Sequence, residues 1–355
     1  MLVNIISLLS FSSLLISSVA AYSAVFNISS GDVPALIAAI NAANANAEEN
    51  TINLEPGTYS LTAADNIVGQ PTTLAESANG MPVITGNITI NGDLAETTII
   101  ERTLNAVKFR IFDVAGGARL TVNDLTVSGG AVFNPGAGAR VRAGGTLTLN
   151  RSIIEKNQAI ALSGVGGGIS NGGVLSINQS SIRNNRGDSD REGGGLFNGG
   201  TATIDNSVIS QNIGALIGGG IRNGGTMTIT NTTIAHNRAH FGAGLDNSGM
   251  LIIKNSTISE NNGIVTAEGG LSAPNGGGIS NTGTLQLQNS ILALNTASDP
   301  HFGPGRGPDC LTFESLITSL GNNIMGDLSD CSINLHPTDR IGAPGLGAFI
   351  DDGAP

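Results

Sequence analysis

From Val141 to Asn295 the apolar and polar positions fall into one frame that recurs six times. Each copy starts at an aliphatic anchor just after a Gly-rich stretch: Val141, Ile169, Leu196, Ile221, Leu245 and Ile279. Four residues on stands a glycine: Gly145, Gly173, Gly200, Gly225, Gly249 or Gly283. Eight on stands Leu149, Ile177, Ile204, Ile229, Ile253 or Leu287. Eleven on is a hydroxyl (Ser152, Ser180, Ser207, Thr232, Ser256, Ser290), and thirteen on another aliphatic (Ile154, Ile182, Ile209, Ile234, Ile258, Leu292). Sixteen on is always asparagine: Asn157, Asn185, Asn212, Asn237, Asn261 and Asn295.

Segments such as Leu147-Thr148-Leu149 and Met227-Thr228-Ile229 alternate with period two, which predicts strands, kept short by the flanking Gly and Asn. No copy carries an amphipathic helix. Successive anchors are spaced from 24 residues (Ile221 to Leu245) to 34 (Leu245 to Ile279), a length that suits one solenoid coil each. A single coil cannot bury its apolar side, whereas stacked coils can, with strands ~4.8 Å apart. The frame therefore predicts an all-β, right-handed parallel β-helix. Ile177, Ile204, Ile229 and Ile253 should share one buried column, and stacked Asn side chains should bond along the rod. Gly173 and Gly200 are expected to hold a corner through positive φ. The Gly runs are not nucleotide fingerprints, because no crossover helix follows them.

Composition agrees. Hydrophobic residues make up 40% and aromatics 3%, with no Trp and 51 Gly, so the core must be narrow and aliphatic. Charged residues at 12% fit neither a helical domain with a Lys/Glu surface nor charge-driven disorder. A net charge of -11 argues against nucleic acid as a partner. Ile5 to Ile16 is apolar, and Ser18-Val19-Ala20 or Val19-Ala20-Ala21 offers small residues for cleavage, so 1–21 reads as a signal peptide, although it lacks a basic start. An uncleaved anchor over Ile5 to Ala24 is the alternative; no other segment is long enough to span a bilayer. Cys310 and Cys331 are the two cysteines, and in an exported chain they are expected to pair.

The pairing of Gly166-Gly167-Gly168-Ile169 with Ile182-Arg183-Asn184-Asn185 resembles the polymorphic outer-membrane protein repeat, over roughly Gly138 to Asn295. Phe26 to Leu61 looks like the N-terminal cap of pectate-lyase-like β-helix proteins, with a short helix at about Val33 to Ala45 before a turn at Pro56-Gly57-Thr58-Tyr59. Asp309-Cys310 through Ser319-Leu320-Gly321-Asn322-Asn323 to Cys331, continued by Pro344-Gly345-Leu346-Gly347, is similar to the C-terminal coil of choice-of-anchor surface proteins. Such proteins run on into another coil and an anchor, which this sequence does not show before Pro355. The resemblance implies the fold; it does not imply one activity, because the architecture serves lyases, hydrolases, adhesins and passenger domains. The expected organisation is 1–21 signal peptide, 24–60 cap, 61–308 coils and 309–355 a C-terminal coil region with the disulfide.

Candidate chemistry belongs on the segments that vary. From each sixteenth-position Asn to the next Gly triplet lie eight, seven, five, four and fourteen residues, starting at Gln158, Arg186, Ile213, Arg238 and Asn262, so all length variation falls at one corner. In Arg186-Gly187-Asp188-Ser189-Asp190-Arg191-Glu192 three carboxylates can offer oxygen ligands to Ca²⁺, though a solvated loop explains them as well. A lyase would need Asp188, Asp190 and Glu192 to converge with Arg183, Arg186, Arg191 or Arg222, and no such convergence is expected. The Arg-Gly-Asp triplet is a chance tripeptide. His236 and His240 bracket a corner loop; four apart off a helix, they are not a metal signal. His301 and His336 carry no motif. Asp351-Asp352 lacks the companions of a polygalacturonase-like site. The Asn-x-Ser/Thr sequons at Asn27, Asn87, Asn150, Asn178, Asn231 and Asn255 arise from the repetition.

These readings point to a secreted or cell-surface protein, outer-membrane association included, with a structural, adhesive or glycan-binding role. Expected partners are cell-surface glycans or a host or neighbouring cell, with no required cofactor and no catalytic site. The alternative is a polysaccharide lyase or glycoside hydrolase acting on acidic glycans along the β-helix face. A passenger or toxin scaffold is a third reading, without the C-terminal membrane barrel such proteins carry.

Overall fold

The register of the strands decides the architecture. In a computed structural model, which describes residues 22–46, 48–67, 78–160, 166–188, 193–264, 275–300 and 303–347, Ile177 pairs with Ile204, Ile204 with Ile229 and Ile229 with Ile253, all in parallel. All four are fully buried. The coil beginning at Ile169 shows the plan. A three-residue strand, Ile169–Asn171, makes a tight Gly172-Gly173 turn into the five-residue strand Val174–Asn178. Gln179 and Ser180 turn the chain into Ser181–Arg183, and Asn184 and Asn185 turn it into the short Arg186–Gly187. The variable segment then leads to Leu196–Asn198 in the next coil. Among the described residues, stacking these elements gives sheets of 12, 11, 8 and 8 strands, parallel throughout except for one antiparallel strand at the edge of the short-strand sheet, one of the two with 8. The protein is a right-handed parallel β-helix.

Two kinds of corner bend every coil. Gln179 and Asn184 both have positive φ, as do their counterparts Asn206 and Gln211, then Asn231 and His236. Each is followed by a buried polar residue that hands hydrogen bonds to the next coil. At the first corner the Ser180 amide donates to Ser207 Oγ at 3.1 Å. At the second, both the amide and Nδ2 of Asn185 donate to Asn212 Oδ1 at 3.0 Å. The same pair of bonds runs from Asn157 to Asn295 and ends on the carboxylate of Asp309. Burial pushes the Asp309 carboxyl up, against the hydrogen bonds it accepts. Each Asn Nδ2 also donates to a main-chain carbonyl of the coil behind, as Asn212 does to Ile182 at 2.8 Å. The ladder thus satisfies the polar backbone at a dry corner, where an unpaired group costs ~1–3 kcal/mol.

Two expectations need correction. Gly173 and Gly200 do not have positive φ; in each Gly triplet that role falls to the first member, such as Gly166 or Gly193. Gly173 and Gly200 are required by space instead, since a Cβ on Gly200 would lie 2.2 Å from the Gly173 carbonyl oxygen of the coil behind. The first anchor is also misplaced. Ile169 pairs with Ala139, not Val141, because the turn Arg142-Ala143-Gly144-Gly145 is two residues longer than its successor Gly172-Gly173.

The ends are closed differently. Helix Val33–Asn44 has Asp32 as N-cap, its carboxylate accepting from the Ala35 amide at 3.0 Å, and buries Leu36, Ala39, Ile40 and Ala43 over the first coils. Gly57 and Tyr59, read as part of a turn, lie in the strand Gly57–Leu61, with the buried Tyr59 hydroxyl donating to the Ile28 and Glu55 carbonyls. At the other end Cys310 and Cys331 are bonded, Cα atoms 5.5 Å apart. Residues 1–21 lie outside the described residues. No described helix is long and apolar enough to cross a membrane.

Two substitutions test this account. Gly200→Val is expected to destabilise by about 3 kcal/mol or more, because neither backbone can yield without breaking the stack, read as a lower melting temperature. Asn212→Ala strands two donors of Asn185 and removes the bond to the Ile182 carbonyl, while Asn237 Oδ1 keeps the main-chain amide, and it should cost on the order of 3 kcal/mol in denaturant unfolding; parental stability would show the ladder to be dispensable.

Candidate functional site

The Asn corner also shapes the surface. Because the sixteenth-position Asn is drawn inward, the residues on either side of it face out: Lys156 and Gln158, Asn184 and Arg186, His236 and Arg238, Glu260 and Asn262, Leu294 and Thr296. The preceding position carries small buried side chains in four successive coils, Ser210, Ala235, Ser259 and Ala293, which leaves the corner re-entrant. Two clefts lie along it. One, of ≈ 330 Å³, is lined by His236, Arg238, Glu260, Asn262, Leu294 and Thr296. The other, of ≈ 450 Å³, lies nearer the N-terminus between Glu101, Arg102, Lys156 and Gln158.

In the first cleft His236 Nε2 stands 3.0 Å from Glu260 Oε2, one coil apart. Both are about one-third exposed, and the Arg238 guanidinium is two residues further along. An imidazole held by a carboxylate beside a cation can exchange a proton and meet an anion. The spacing could have revealed it: His236 and Glu260 each stand fifteen residues after an anchor, Arg238 and Asn262 seventeen. In the second cleft Arg102 is committed to the carbonyls of Thr103, Ala106 and Gly129. Lys156 pairs with Glu155 at 2.7 Å.

Among the described residues the other sequence candidates do not gather. Asp188 is held by Gln158 Nε2 and Arg186 Nε, so the Arg-Gly-Asp triplet is tied to itself. Arg183 donates to Glu155 at 3.0 Å, and Arg222 lies in another sheet with Asp246 at 3.7 Å. Asp190, Arg191, Glu192, His301, Asp351 and Asp352 lie outside the described residues. His240 is buried, edge-on to Phe241 at 4.3 Å, and does not join His236 in the cleft. His336 is exposed, with Nδ1 2.9 Å from Thr338 Oγ1. The sequon residues Asn150 and Asn178 belong to an outer row in which each Nδ2 donates to the coil behind. Asn231 and Asn255 hold positive-φ corners.

A second constellation went unread in the sequence. Asp113 is fully buried and accepts two hydrogen bonds from each of Arg140 and Arg142, Nε at 3.0 Å and Nη2 at 2.6 Å. Arg110, also fully buried, has Nη1 3.8 Å from the same carboxylate and donates to Gly136, Pro135 and Asn79. Burial alone would raise the Asp113 carboxyl, but the hydrogen bonds of Arg142 and Arg140 and the charge of Arg110 outweigh it and hold it down to about 2. Burial, then the charge of Arg140, lowers Arg110 to about 9, which leaves it charged at neutral pH.

Because the Asp113 value is depressed on folding, its stabilisation is complete above the unfolded value near 4 and is lost as pH falls through about 2. The shift corresponds to on the order of 2 kcal/mol. The stability advantage of wild type over Asp113→Asn should therefore narrow between pH ~4 and ~2 in urea titrations; a pH-independent difference would contradict the assignment.

Solved structures similar to the chain include three sugar-acting enzymes by name. Pectin methylesterase PemA from Erwinia chrysanthemi is 12% identical, covering 90% of this chain and 92% of that one, with a TM-score of 0.38. Pectate lyase Pel9A is 14% identical over 90% of this chain and 79% of that one, TM-score 0.38. The A-module of mannuronan C-5 epimerase AlgE6 from Azotobacter vinelandii is 15% identical over 89% and 96%, TM-score 0.33. No curated protein matches the sequence. The family model described as the right-handed beta helix region matches residues 110–297, more than half of the chain and all of the repeated coils. With the parallel register seen coil by coil, this places the chain in the right-handed β-helix family.

Proposed function

We propose that this is an exported β-helix protein, secreted or held at the cell surface, whose rod displays the re-entrant Asn corner as a glycan-binding groove. The observation that carries the reading is the cleft lined by His236, Arg238, Glu260, Asn262 and Thr296. Its lining, polar except for Leu294, spans three successive coils and is fixed from beneath by the buried ladder. Sugar hydroxyls both donate and accept, and the cleft offers both. Arg238 suits a uronate carboxylate. A rigid array binds at low ordering cost. Export rests on the apolar leader at 1–21, and the partner in this reading is the glycan coat of the cell itself, a neighbour or a host.

The His236–Glu260 contact favours a second reading, in which the groove is the active site of a lyase or hydrolase on acidic glycans. One experiment separates the two. The purified protein is titrated with polygalacturonate and alginate, with and without Ca²⁺, while unsaturated-uronide absorbance and reducing ends are followed. Saturable binding without product is expected, weakened about tenfold (about 1.4 kcal/mol) by Arg238→Ala. Product formation abolished by His236→Ala would replace the binding reading with the enzymatic one, and absence of any glycan binding would remove both.

A further inference from the structure

The Asp113 cluster has more positive charge than its own carboxylate can balance. Three guanidiniums face one carboxylate, and among the described residues no other acid pairs with Arg110, Arg140 or Arg142. This occurs in a chain of net charge -11, where acids are the commoner charge. A purely structural ion pair would need one arginine. Arg140, opposite Asp113 in the parallel register, already supplies it.

The second arginine is present because of the longer turn. Arg142 opens the four-residue connection Arg142-Ala143-Gly144-Gly145, and from there its side chain reaches back to the coil behind and doubles Arg140 on Asp113. From Asn171 onward this connection shortens to Gly172-Gly173. The doubled arginine therefore belongs to a local departure from the repeat.

A guanidinium carries five N–H donors. Arg140 and Arg142 each commit Nε and one Nη2 proton to Asp113, and their remaining donors have no partner among the described residues. The side chains are 21% and 32% exposed, whereas Asp113 and Arg110 are fully covered. Two guanidiniums are thus clamped side by side on a buried carboxylate, with a third charge behind them and unused donors toward solvent. Their orientation is set before any ligand arrives, which lowers the ordering cost of binding. Planar forks of this kind match an oxyanion better than a lysine does.

We propose that Arg140 and Arg142 form an oxyanion-binding site on the side of the rod, accepting the carboxylate or sulfate of an acidic glycan. The site lies on the sheet of Phe112–Val114, Ala139–Val141 and Ile169–Asn171, away from the Asn corner, and does not rest on the groove reading.

The test is affinity electrophoresis and titration calorimetry with three probes: polygalacturonate for carboxylate, dextran sulfate for sulfate, and dextran as the neutral control. At least one anionic polymer is expected to bind, dextran is not, and added salt should weaken binding. Arg142→Gln leaves the Asp113–Arg140 pair in place and should reduce affinity about tenfold. Arg142→Lys keeps the charge but loses the fork and should fall between the two. Melting curves of both variants establish that they are folded; if Arg142→Gln is not, Arg142→Lys carries the comparison. Preference for polygalacturonate identifies a uronate ligand, preference for dextran sulfate a sulfated one, and both support the site. Wild-type affinity in folded Arg142→Gln, or binding of neither anionic polymer, overturns it. Loss on Arg238→Ala with none on Arg142→Gln would support the groove and reject this site; the reverse supports this site and rejects the groove.

Discussion

The repeated coils of this rod depend on the bonds that a buried asparagine sends into the next coil. In-register stacking brings like positions together, but it also buries main-chain amides and carbonyls at corners that no strand can satisfy. Asn212 resolves this by accepting from two groups of Asn185 and donating to Ile182 and Asn237. Hydrogen bonds here do less to drive collapse than to decide which register can collapse, since a slip of one residue would leave those groups dry and unpaired. The aliphatic columns of Ile177 and Ile182 provide the burial that makes the chosen register stable.

Much of this was legible because the repeat converts sequence offset into spatial contact. Ile177, Ile204, Ile229 and Ile253 could be stacked from spacing alone, and so could the asparagines of the corner. The same logic applies to the residues two after each anchor from Ile169 onward. Asn171, Asn198, Asn223, Asn247 and Asn281 form a second buried ladder, each Nδ2 donating to the next Oδ1 at 2.7–2.8 Å. That ladder accompanies the tight Gly-Gly turn. The coil before Asn171 has Val141 in its place and a longer turn, which is why an anchor chosen on Val141 was two residues out.

What the sequence concealed has a common physical cause. Spacing gives neighbours along the stack, but not which outward side chains reach each other across a turn of altered length. Arg142 joins the register pair Asp113 and Arg140 only because one connection is longer than its successors. Positive φ falls not on Gly173 or Gly200 but on the first glycine of each triplet, and at the other two corners on Gln179, Asn184 and His236, which no spacing of glycines marks. His236 and Glu260 could have been joined by offset, since the frame carries both to the same outward corner.

The asparagine ladder has a direction. Each member passes two donors forward and accepts two from behind, so every coil between Asn157 and Asn295 offers acceptors on one face and matching donors on the other. A coil can be duplicated or removed there with donors and acceptors still matched across the new junction, and the rod changes length by whole units without redesigning its interior. Asp309 breaks that equivalence, because a carboxylate receives the last pair of bonds and has no side-chain amide to hand on. Lengthening and shortening of such a chain over generations is thereby confined to the segment before Asp309, and an outer surface assembled from column positions is copied along with every coil that is gained.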